Sequence, residues 1–400
     1  MDRSGFSRRG FLKGVAAVGG AAIGTRIAGR HLIGEAQAAS PANTFVLIIH
    51  LVGGYNALFP SAGSFMGAGT FGVAAGNVRD LGSGLIVDRG FYDGLGTYAV
   101  GNMASVGFRH GSSSHGAARG LVWNYNNMNG GLVLADAMGG TGSIKAASLG
   151  GDILGEASRT AVNGTTFQTI RDMQATINAI GGGAPNPRIP DRGITLGGVQ
   201  GADDMSKEHL AKHGKSLVSM RNGFDAAVAT LKQPVRQFSF ADLSTAYQLN
   251  NATAVNSFKA KMAAAELMAF AGTNVAYIGD GGWDTHGDRT GTTVRNKMGA
   301  MLPFIKTFLD RMSTSAPGAN PVVAIVGDFS RSLPGSDHAP GLSTTVISRN
   351  AKTGTTGAVD ANVRLPASTP ATAGFWAYLA AVTKSGSAAF GANPHTALVK

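Results

Sequence analysis

The sequence contains no cysteine at all. This absence excludes a disulfide, a thiolate metal ligand and a cysteine nucleophile. Charged residues are scarce as well, because they make up only 14% of the 400-residue chain, against roughly 25% in an average globular protein. The chain is nevertheless 44% hydrophobic and contains 59 glycines. This composition is typical of a folded, loop-rich protein rather than a disordered one.

Long apolar segments and internal repeats are also missing. Beyond the N-terminal region, no segment reaches the roughly 18 uninterrupted apolar residues that a membrane-spanning helix needs, so we expect the mature protein not to span a membrane. No period of about 20–50 residues stands out, so a repeat architecture is not predicted.

The distribution of charge argues against binding to nucleic acid. The formal charge is +11, but residues 1–38 hold six Lys/Arg and only two acids. The remaining basic residues are scattered and form no Lys/Arg-rich run. We therefore expect no nucleic-acid partner, whereas a small anionic substrate agrees with the mild excess of positive charge.

The N-terminus has the features of an export signal. Ser7-Arg8-Arg9-Gly10-Phe11-Leu12-Lys13 matches the twin-arginine pattern, and a short apolar, glycine-rich region, 14–23, follows it. Ala36-Gln37-Ala38 has the small-residue pattern of a cleavage site. We predict a signal peptide over 1–38, the twin-arginine translocase as its partner, and a periplasmic or secreted mature protein. The alternative is a basic amphipathic helix.

Three apolar runs predict strands that are buried on both faces. They are Thr44–Val52, Val275–Ile278 and Pro321–Val326. Helical periodicity predicts helices over 166–180, 206–231, 255–270, 294–312 and 371–382. Strands that alternate with helices indicate an α/β fold with a mainly parallel sheet and helices on both faces. We expect residues 39–400 to form a single large domain, with loops and short helices over 61–105 and a linker-like segment over 181–187.

Polar residues follow each of the three predicted strands. Asn56 comes after the first, Asp284 and His286 after the second, and Asp328 after the third. Because ligands bind beyond the carboxyl ends of such strands, these side chains are expected to meet there. Two further pairs, Asp337/His338 and His110/His115, can reach the same edge.

Carboxylate and imidazole groups together are the ligands of a divalent metal. Asp284, His286, Asp328, Asp337, His338, His115 and Asn56 are therefore candidate ligands of one or two ions of zinc, manganese or calcium. The alternative for the segment 281–288 is a polar loop whose aspartates accept backbone hydrogen bonds.

A serine-rich loop lies between the two histidines of the second candidate pair. Ser112, Ser113 and Ser114 are candidate nucleophiles, with His110 beside them as a catalytic group. The alternative is an ordinary surface loop.

Read in order, the chain carries the twin-arginine motif, Gly53-Gly54 after the first strand, the Ser-His loop, Gly282-Trp283-Asp284-Thr285-His286, and Asp328-Phe329-Ser330-Arg331 followed by Asp337-His338. This series resembles the bacterial family called domain of unknown function 1501, which is related to the alkaline phosphatase and sulfatase superfamily. The resemblance implies an alkaline-phosphatase-like α/β sandwich with a one- or two-metal centre.

The resemblance also implies individual roles. Asp284, His286, Asp337 and His338 would be metal ligands, Asp328 would replace an acid that is usually Glu, and His115 would be the loop histidine. One position departs from the family pattern, because Asn56 stands where the family has Asp. An amide oxygen binds a cation more weakly than a carboxylate, so a two-metal enzyme could have become a one-metal enzyme or a binding protein.

Three functions remain open from the sequence. The first is an exported metal-dependent hydrolase of phosphate or sulfate esters. The second is a non-catalytic periplasmic protein that keeps the fold and at most one structural metal. The third, a surface interaction module, has no motif in its favour.

Overall fold

The structure is a computed structural model. It describes residues 44–66, 70–139, 144–151, 162–182, 239–315, 319–332, 337–385 and 387–400, with a few positions between 197 and 207. The chain groups into two compact units. One comprises 1–39 and 174–239, and the other comprises 40–173 and 240–400. The site described below lies entirely in the second unit. The expectation of a single domain over 39–400 stays a prediction.

The described residues form fourteen strands. They are β1 (Thr44–Leu51), β2 (Val78–Asp80), β3 (Ile86–Asp88), β4 (Met103–Phe108), β5 (Asn124–Tyr125), β6 (Met128–Asn129), β7 (Ala146–Leu149), β8 (Phe167–Ile170), β9 (Val275–Asp280), β10 (Asn320–Gly327), β11 (Ser330–Ser332), β12 (Asp337–Ala339), β13 (Leu342–Ile347) and β14 (Gly354–Thr355).

The α-helices of the described residues are α1 (Gly63–Met66), α2 (Arg89–Val100), α3 (His115–Trp123), α4 (Gly130–Ala137), α5 (Met173–Ile177), α6 (Phe240–Ala246), α7 (Phe258–Phe270), α8 (Thr292–Ser315) and α9 (Thr372–Thr383). Shorter 3-10 or π turns cover Thr70–Gly72, Ala75–Asn77, Asn178–Gly182, Ser387–Ala389 and Thr396–Leu398. Within the described part of the chain, no helix combines the length and the apolar character that crossing a membrane requires.

Eight of the strands form one mixed, mainly parallel sheet in the order β14-β4-β13-β10-β1-β9-β7-β8. The central strand β1 is parallel to both neighbours, and Leu51 at its end is level with Asp280 of β9 and Gly327 of β10. All three strands are apolar and almost wholly buried, as expected for the middle of such a sheet. The predicted α/β class is therefore confirmed.

Helices cover both faces of the sheet. Successive side chains of a strand point to opposite faces, and two β1 residues of opposite parity contact different helices. Phe45 packs against Phe308 of α8, with ring centroids 6.0 Å apart. His50 stacks on Trp123 of α3 at the same centroid distance. The Trp123 ring in turn contacts Trp376 of α9.

Two antiparallel strands extend the sheet and bring a distant loop to the same edge. β13 is antiparallel to β10, and β4 is antiparallel to β13. Since two reversals restore the original direction, β4 runs parallel to β10 and ends at the same edge. The loop that follows Phe108, together with β12 just before Leu342, therefore lies beside the carboxyl ends of β1, β9 and β10.

Most of the predicted elements are confirmed. The three apolar runs form β1, β9 and β10, and the helices predicted over 255–270, 294–312 and 371–382 correspond to α7, α8 and α9. Side chains fix some of the helix starts, as expected for helix caps. The Ser257 hydroxyl accepts a hydrogen bond from the Ala260 N–H at the start of α7, and Asp288 accepts one from the Val294 N–H in α8.

Two predictions are wrong in part. The helix predicted over 166–180 is a strand over Phe167–Ile170, because these residues pair with β7; the helix begins only at Met173. The predicted loops and short helices over 61–105 contain the β2–β3 hairpin, the twelve-residue α2 and the start of β4. The signal peptide, the helix predicted over 206–231 and residues 183–187 of the linker lie outside the described residues, apart from isolated positions.

Candidate functional site

The loops after β1 and β9 touch at the carboxyl edge of the sheet. Gly53 adopts a φ of +116°, and a Cβ built there would lie 2.3 Å from the Asp284 backbone N. Backbone hydrogen bonds join Val52 N to Asp280 O at 2.8 Å and Trp283 N to Val52 O at 3.1 Å. Glycine is required at position 53 because both the dihedral and the close approach exclude a side chain.

Arg331 joins these loops from below. Its guanidinium is fully buried and donates to the carbonyl oxygens of Gly53 and Trp283, the second at 3.1 Å. The same group donates to Asp284 Oδ1 at 2.6 Å. Burial acts to raise the pKa of Asp284, but the hydrogen bond and charge of Arg331 outweigh it and hold that pKa below its usual range.

Four predicted ligands meet at this edge, and we call them the rim cluster: His115, Asp284, His286 and His338. Each offers one ligand atom, and these four atoms all lie within 4.8 Å of one another. The three segments that carry them come after β4, β9 and β10, as the topology requires. The rim cluster can therefore hold a metal ion.

Three of the spacings between ligand atoms are close to those around a small tetrahedral ion. Asp284 Oδ1 lies 3.2 Å from His286 Nε2 and 3.6 Å from His115 Nε2, and His286 Nε2 lies 2.9 Å from His338 Nε2. Tetrahedral ligands at bond lengths of about 2.0–2.1 Å are separated by about 3.3 Å. The rim cluster is also open to solvent, since the Asp284 and His286 side chains are 53% and 49% exposed.

Hydrogen bonds fix which nitrogen His338 presents to the rim cluster. His338 Nδ1 donates to the carbonyl oxygen of Ser113 at 2.5 Å. In the neutral ring, Nε2 is then unprotonated and available as a ligand atom. Burial, together with the positive charge of Arg331, lowers the pKa of His338 and so favours this neutral form.

His115 is oriented in the same way by a carboxylate. Its Nδ1 donates to Asp328 Oδ2 at 2.9 Å, which leaves Nε2 unprotonated and directed at Asp284. Nε2 is buried and has no hydrogen-bond partner among the residues that the structure describes. A carboxylate that holds the far nitrogen of a histidine is the usual support of a metal-bound imidazole.

Asp328 lies beneath the rim cluster rather than within it. Its Oδ1 accepts from His50 Nε2 at 2.7 Å and from Arg119 Nε at 3.4 Å. Its Oδ2 accepts from the Gly53 N–H at 3.1 Å, in addition to His115. Burial acts to raise its pKa, but the hydrogen bonds of the two histidines and the charge of Arg119 hold that pKa far below its usual range. We call the fully buried side chains His50, Asp328 and Arg331 the floor.

The other predicted ligands have different surroundings. The buried Asn56 uses its Oδ1 to accept the Leu58 N–H at 2.9 Å, so it supports the turn after β1. Asp337 pairs with Ser332 in the β11–β12 hairpin, and its side chain lies outside the described part of the structure.

The predicted catalytic loop lies against the rim cluster through its backbone. His110 Nδ1 accepts from the Ser112 N–H at 3.2 Å, and burial lowers the pKa of His110 to about 4. The Ser112 hydroxyl accepts from the Ser114 N–H at 3.2 Å. Among the described residues, no hydrogen bond joins a hydroxyl of these three serines to a histidine ring.

Sequence reasoning missed His50, Trp123 and Arg331. His50 interrupts an apolar strand, and a polar residue at a doubly buried position is itself a signal, because burial without a partner is costly. Arg331 is the last residue of the motif Asp328-Phe329-Ser330-Arg331, in which only Asp328 was assigned a role. Its role depends on the carbonyls of Gly53 and Trp283, which sequence spacing does not bring together.

Comparison of this chain with protein-family models, with curated proteins and with solved structures gives no match in any of the three. The functional assignment therefore depends on the site itself.

Proposed function

We propose that this chain is an exported, metal-dependent hydrolase of phosphate or sulfate esters. The observation that carries the proposal is the rim cluster, in which three imidazoles and a carboxylate place their ligand atoms within 4.8 Å of one another at an exposed edge. The site also occupies the position at which open α/β sheets bind their ligands.

The donor set favours zinc. Three ring nitrogens and one carboxylate oxygen suit zinc in tetrahedral geometry, whereas calcium prefers six to eight oxygen ligands. The orientation of His115 by Asp328 and of His338 by the Ser113 carbonyl supports the same choice, because both histidines present an unprotonated nitrogen. Manganese is the second candidate, since it accepts mixed carboxylate and imidazole ligands.

A bound zinc ion that accepts an ester oxygen as a fifth ligand would polarise the ester and stabilise the negative charge that develops on it. The chain adds positive charge beside this position. Arg119 lies on α3 with its side chain about one third exposed, and α3 begins at His115, so the positive end of its dipole is at the rim cluster. Because Arg119 also pairs with Asp328 at 3.4 Å, the zinc ion and the helix dipole would be the main groups that favour an anionic ester over a neutral one.

The serine loop supplies the proposed nucleophile. Ser112, Ser113 and Ser114 lead directly into α3 and contact the rim cluster through the Ser113 carbonyl. We retain these three serines, with His110 beside them, as the proposed group for covalent attack.

Ester hydrolysis by the zinc- or manganese-loaded protein tests the proposal. Chromogenic aryl phosphate monoesters, phosphate diesters and sulfate esters would be compared for the parent chain, Asp284→Asn and the control Asp93→Asn, which changes an exposed aspartate on α2. We expect turnover of at least one ester class, retained by the control and lost in Asp284→Asn. A metal-loaded parent that hydrolyses none of them contradicts the hydrolase assignment.

A structural metal site is the second candidate. Four protein ligands complete a tetrahedral zinc site, and closed sites of this kind stabilise folds rather than catalyse. In that case, zinc would raise the midpoint of thermal unfolding, His286→Ala would abolish the increase, and no ester would be hydrolysed.

Export is proposed from the sequence alone. The Arg8-Arg9 pair and the cleavage pattern at 36–38 carry it. Changing both arginines to lysine should retain the chain in the cytoplasm, and continued export of this variant would contradict the proposed route.

A further inference from the structure

Four side chains form a continuous hydrogen-bonded chain that starts in the core and ends at the rim cluster. Trp123 Nε1 lies 3.1 Å from His50 Nδ1, and His50 Nε2 lies 2.7 Å from Asp328 Oδ1. Asp328 Oδ2 lies 2.9 Å from His115 Nδ1. Trp123, His50 and Asp328 are at most 1% exposed, so these hydrogen bonds are shielded from water.

The indole at one end and the carboxylate in the middle set the direction of every bond in this chain. An indole N–H can only donate, so His50 Nδ1 must accept, and the proton of the neutral His50 ring is therefore on Nε2. That N–H donates to Asp328, which as a carboxylate can only accept. His115 Nδ1 must then carry the proton that it shares with Asp328, and the lone pair of its Nε2 is directed at the rim cluster.

Packing alone does not account for the polar residue in this position. His50 lies in β1 with apolar neighbours along the strand and is fully buried. Burying an imidazole costs free energy that only its hydrogen bonds offset, whereas a leucine of similar volume would have no such requirement. The partners of His50 are the indole of Trp123 and the carboxylate of Asp328, which explains the use of histidine at this position.

We infer that Trp123 and His50 are positioning residues for the metal site, because they hold the Asp328 carboxylate in place, and that carboxylate fixes the tautomer of His115. The hydrogen bonds and ring contacts that Trp123 and His50 make with described residues do not include a rim-cluster residue. The inference rests on the proposed metal site and adds two residues, 73 positions apart in the sequence, that the motif analysis did not identify.

The tautomer is measurable in the metal-free protein. Nitrogen-15 NMR of the histidine rings in the full chain should show His50 protonated at Nε2 and His115 protonated at Nδ1. A His50 protonated at Nδ1, or a His115 protonated at Nε2, would overturn the inference, and this readout depends on no variant being folded.

Zinc affinity tests the consequence. Trp123→Phe removes the indole N–H and leaves the buried His50 Nδ1 without that donor, and His50→Leu removes the donor to Asp328. Loss of such support typically weakens metal binding by about 10- to 100-fold. We expect roughly that range for His50→Leu and the lower end of it for Trp123→Phe. In His50→Gln the side-chain amide can still donate to Asp328, so affinity should stay within about 3-fold of the parent.

Trp376→Phe is the matched control. Trp376 is fully buried, contacts the Trp123 ring at a centroid distance of 5.6 Å, and donates to the Val122 carbonyl rather than to His50. This variant also replaces a buried indole by a phenyl ring, but at a residue that contacts Trp123 and donates no hydrogen bond to His50. Its zinc affinity should match that of the parent. The visible spectrum of bound cobalt should change in Trp123→Phe and stay unchanged in Trp376→Phe.

The outcomes separate the two proposals. If the parent chain binds no zinc, the metal site fails and its positioning residues fail with it. If the parent binds zinc but His50→Leu and Trp123→Phe bind it equally well with an unchanged cobalt spectrum, the metal site stands and the positioning role is overturned.

Discussion

The floor and the rim cluster lie next to each other, but the polar groups of the floor are buried and hydrogen-bonded, whereas those of the rim cluster are partly exposed to solvent. The floor side chains are fully buried, and Asp328 uses both of its carboxylate oxygens in hydrogen bonds. The rim cluster instead places two of its four side chains about half in solvent. Its ring nitrogens are close enough to share one ion.

This difference in burial separates residues that contribute to the stability of the fold from residues that contribute to metal binding. Buried polar groups that are fully paired fix geometry, and removing one partner leaves the other unsatisfied in a low dielectric. Exposed groups that are close together contribute little to the stability of the fold, because water and salt screen them. We therefore expect floor variants to change stability strongly, and rim variants to change metal binding with little effect on the metal-free fold.

The largest effect is expected for Gly53→Ala. A φ of +116° is strained for alanine, and the added Cβ would lie 2.3 Å from the Asp284 backbone. Backbone strain and overpacking together should lower the free energy of unfolding by roughly 3–5 kcal/mol. Urea denaturation would measure this.

The control for Gly53→Ala is Gly281→Ala, since a Cβ there would meet nothing within 4 Å. Its effect should stay within about 0.5 kcal/mol. Equal stability of the two variants would contradict the close approach of the loops after β1 and β9.

Arg331→Met should have the next largest effect. It leaves the Gly53 and Trp283 carbonyls without this donor and removes the charge beside Asp284. A loss of about 3 kcal/mol is expected from buried acceptors left unsatisfied. Arg89→Met is the control, because Arg89 and Asp93 form an exposed pair worth less than about 1 kcal/mol. If both variants lose the same stability in urea, Arg331 is not part of a buried floor.

The rim variant Asp284→Asn should reverse this pattern. Asparagine keeps an oxygen for Arg331 but loses the negative charge that a cation requires. We expect zinc affinity to fall by about 10-fold or more, with a change of less than about 1 kcal/mol in the unfolding of the metal-free protein. Isothermal titration and urea denaturation of the same sample would measure both. A large stability loss with unchanged zinc affinity would place Asp284 in the floor instead.

Ser113→Ala should have the smallest effect on metal binding. Ser113 contacts His338 through its backbone carbonyl, which alanine supplies equally well. Zinc affinity should stay within about 2-fold of the parent, which corresponds to about 0.4 kcal/mol. A larger drop would mean that the hydroxyl itself supports the ion.

The sequence predicted the framework of the site because the framework follows local rules. Apolar runs gave β1, β9 and β10, and the rule that parallel strands end at one edge placed Asp284, His286 and Asp328 near one another. His338 and His115 were added from motifs, and the topology brings both to that edge.

The strands that carry His115 and His338 to the edge were harder to predict. β4 contains Ser105 and Gly107, which interrupt its apolar pattern. Contacts with residues distant in the sequence explain why small residues occupy these two positions. Ser105 Oγ bonds Ser343 Oγ at 3.0 Å, and a Cβ at Gly107 would lie 2.6 Å from the Thr356 carbonyl oxygen. Such tertiary requirements override the hydrophobic pattern.

The role of Asp328 illustrates a second limit. Residue type and position made it a candidate ligand, but its hydrogen bonds to His50 and Gly53 place it beneath His115. No spacing in the sequence distinguishes a carboxylate that binds a metal from one that orients a ligand, since the distinction depends on which atoms face the ion.

The most direct test of the central claim is the zinc content of the purified full chain, measured by elemental analysis after equilibration with zinc and removal of excess metal. We predict one zinc ion per chain in the parent and in Asp93→Asn, and none in His286→Ala. A parent without zinc, or a His286→Ala variant that retains as much zinc as the parent, would contradict the claim that the rim cluster is a metal site.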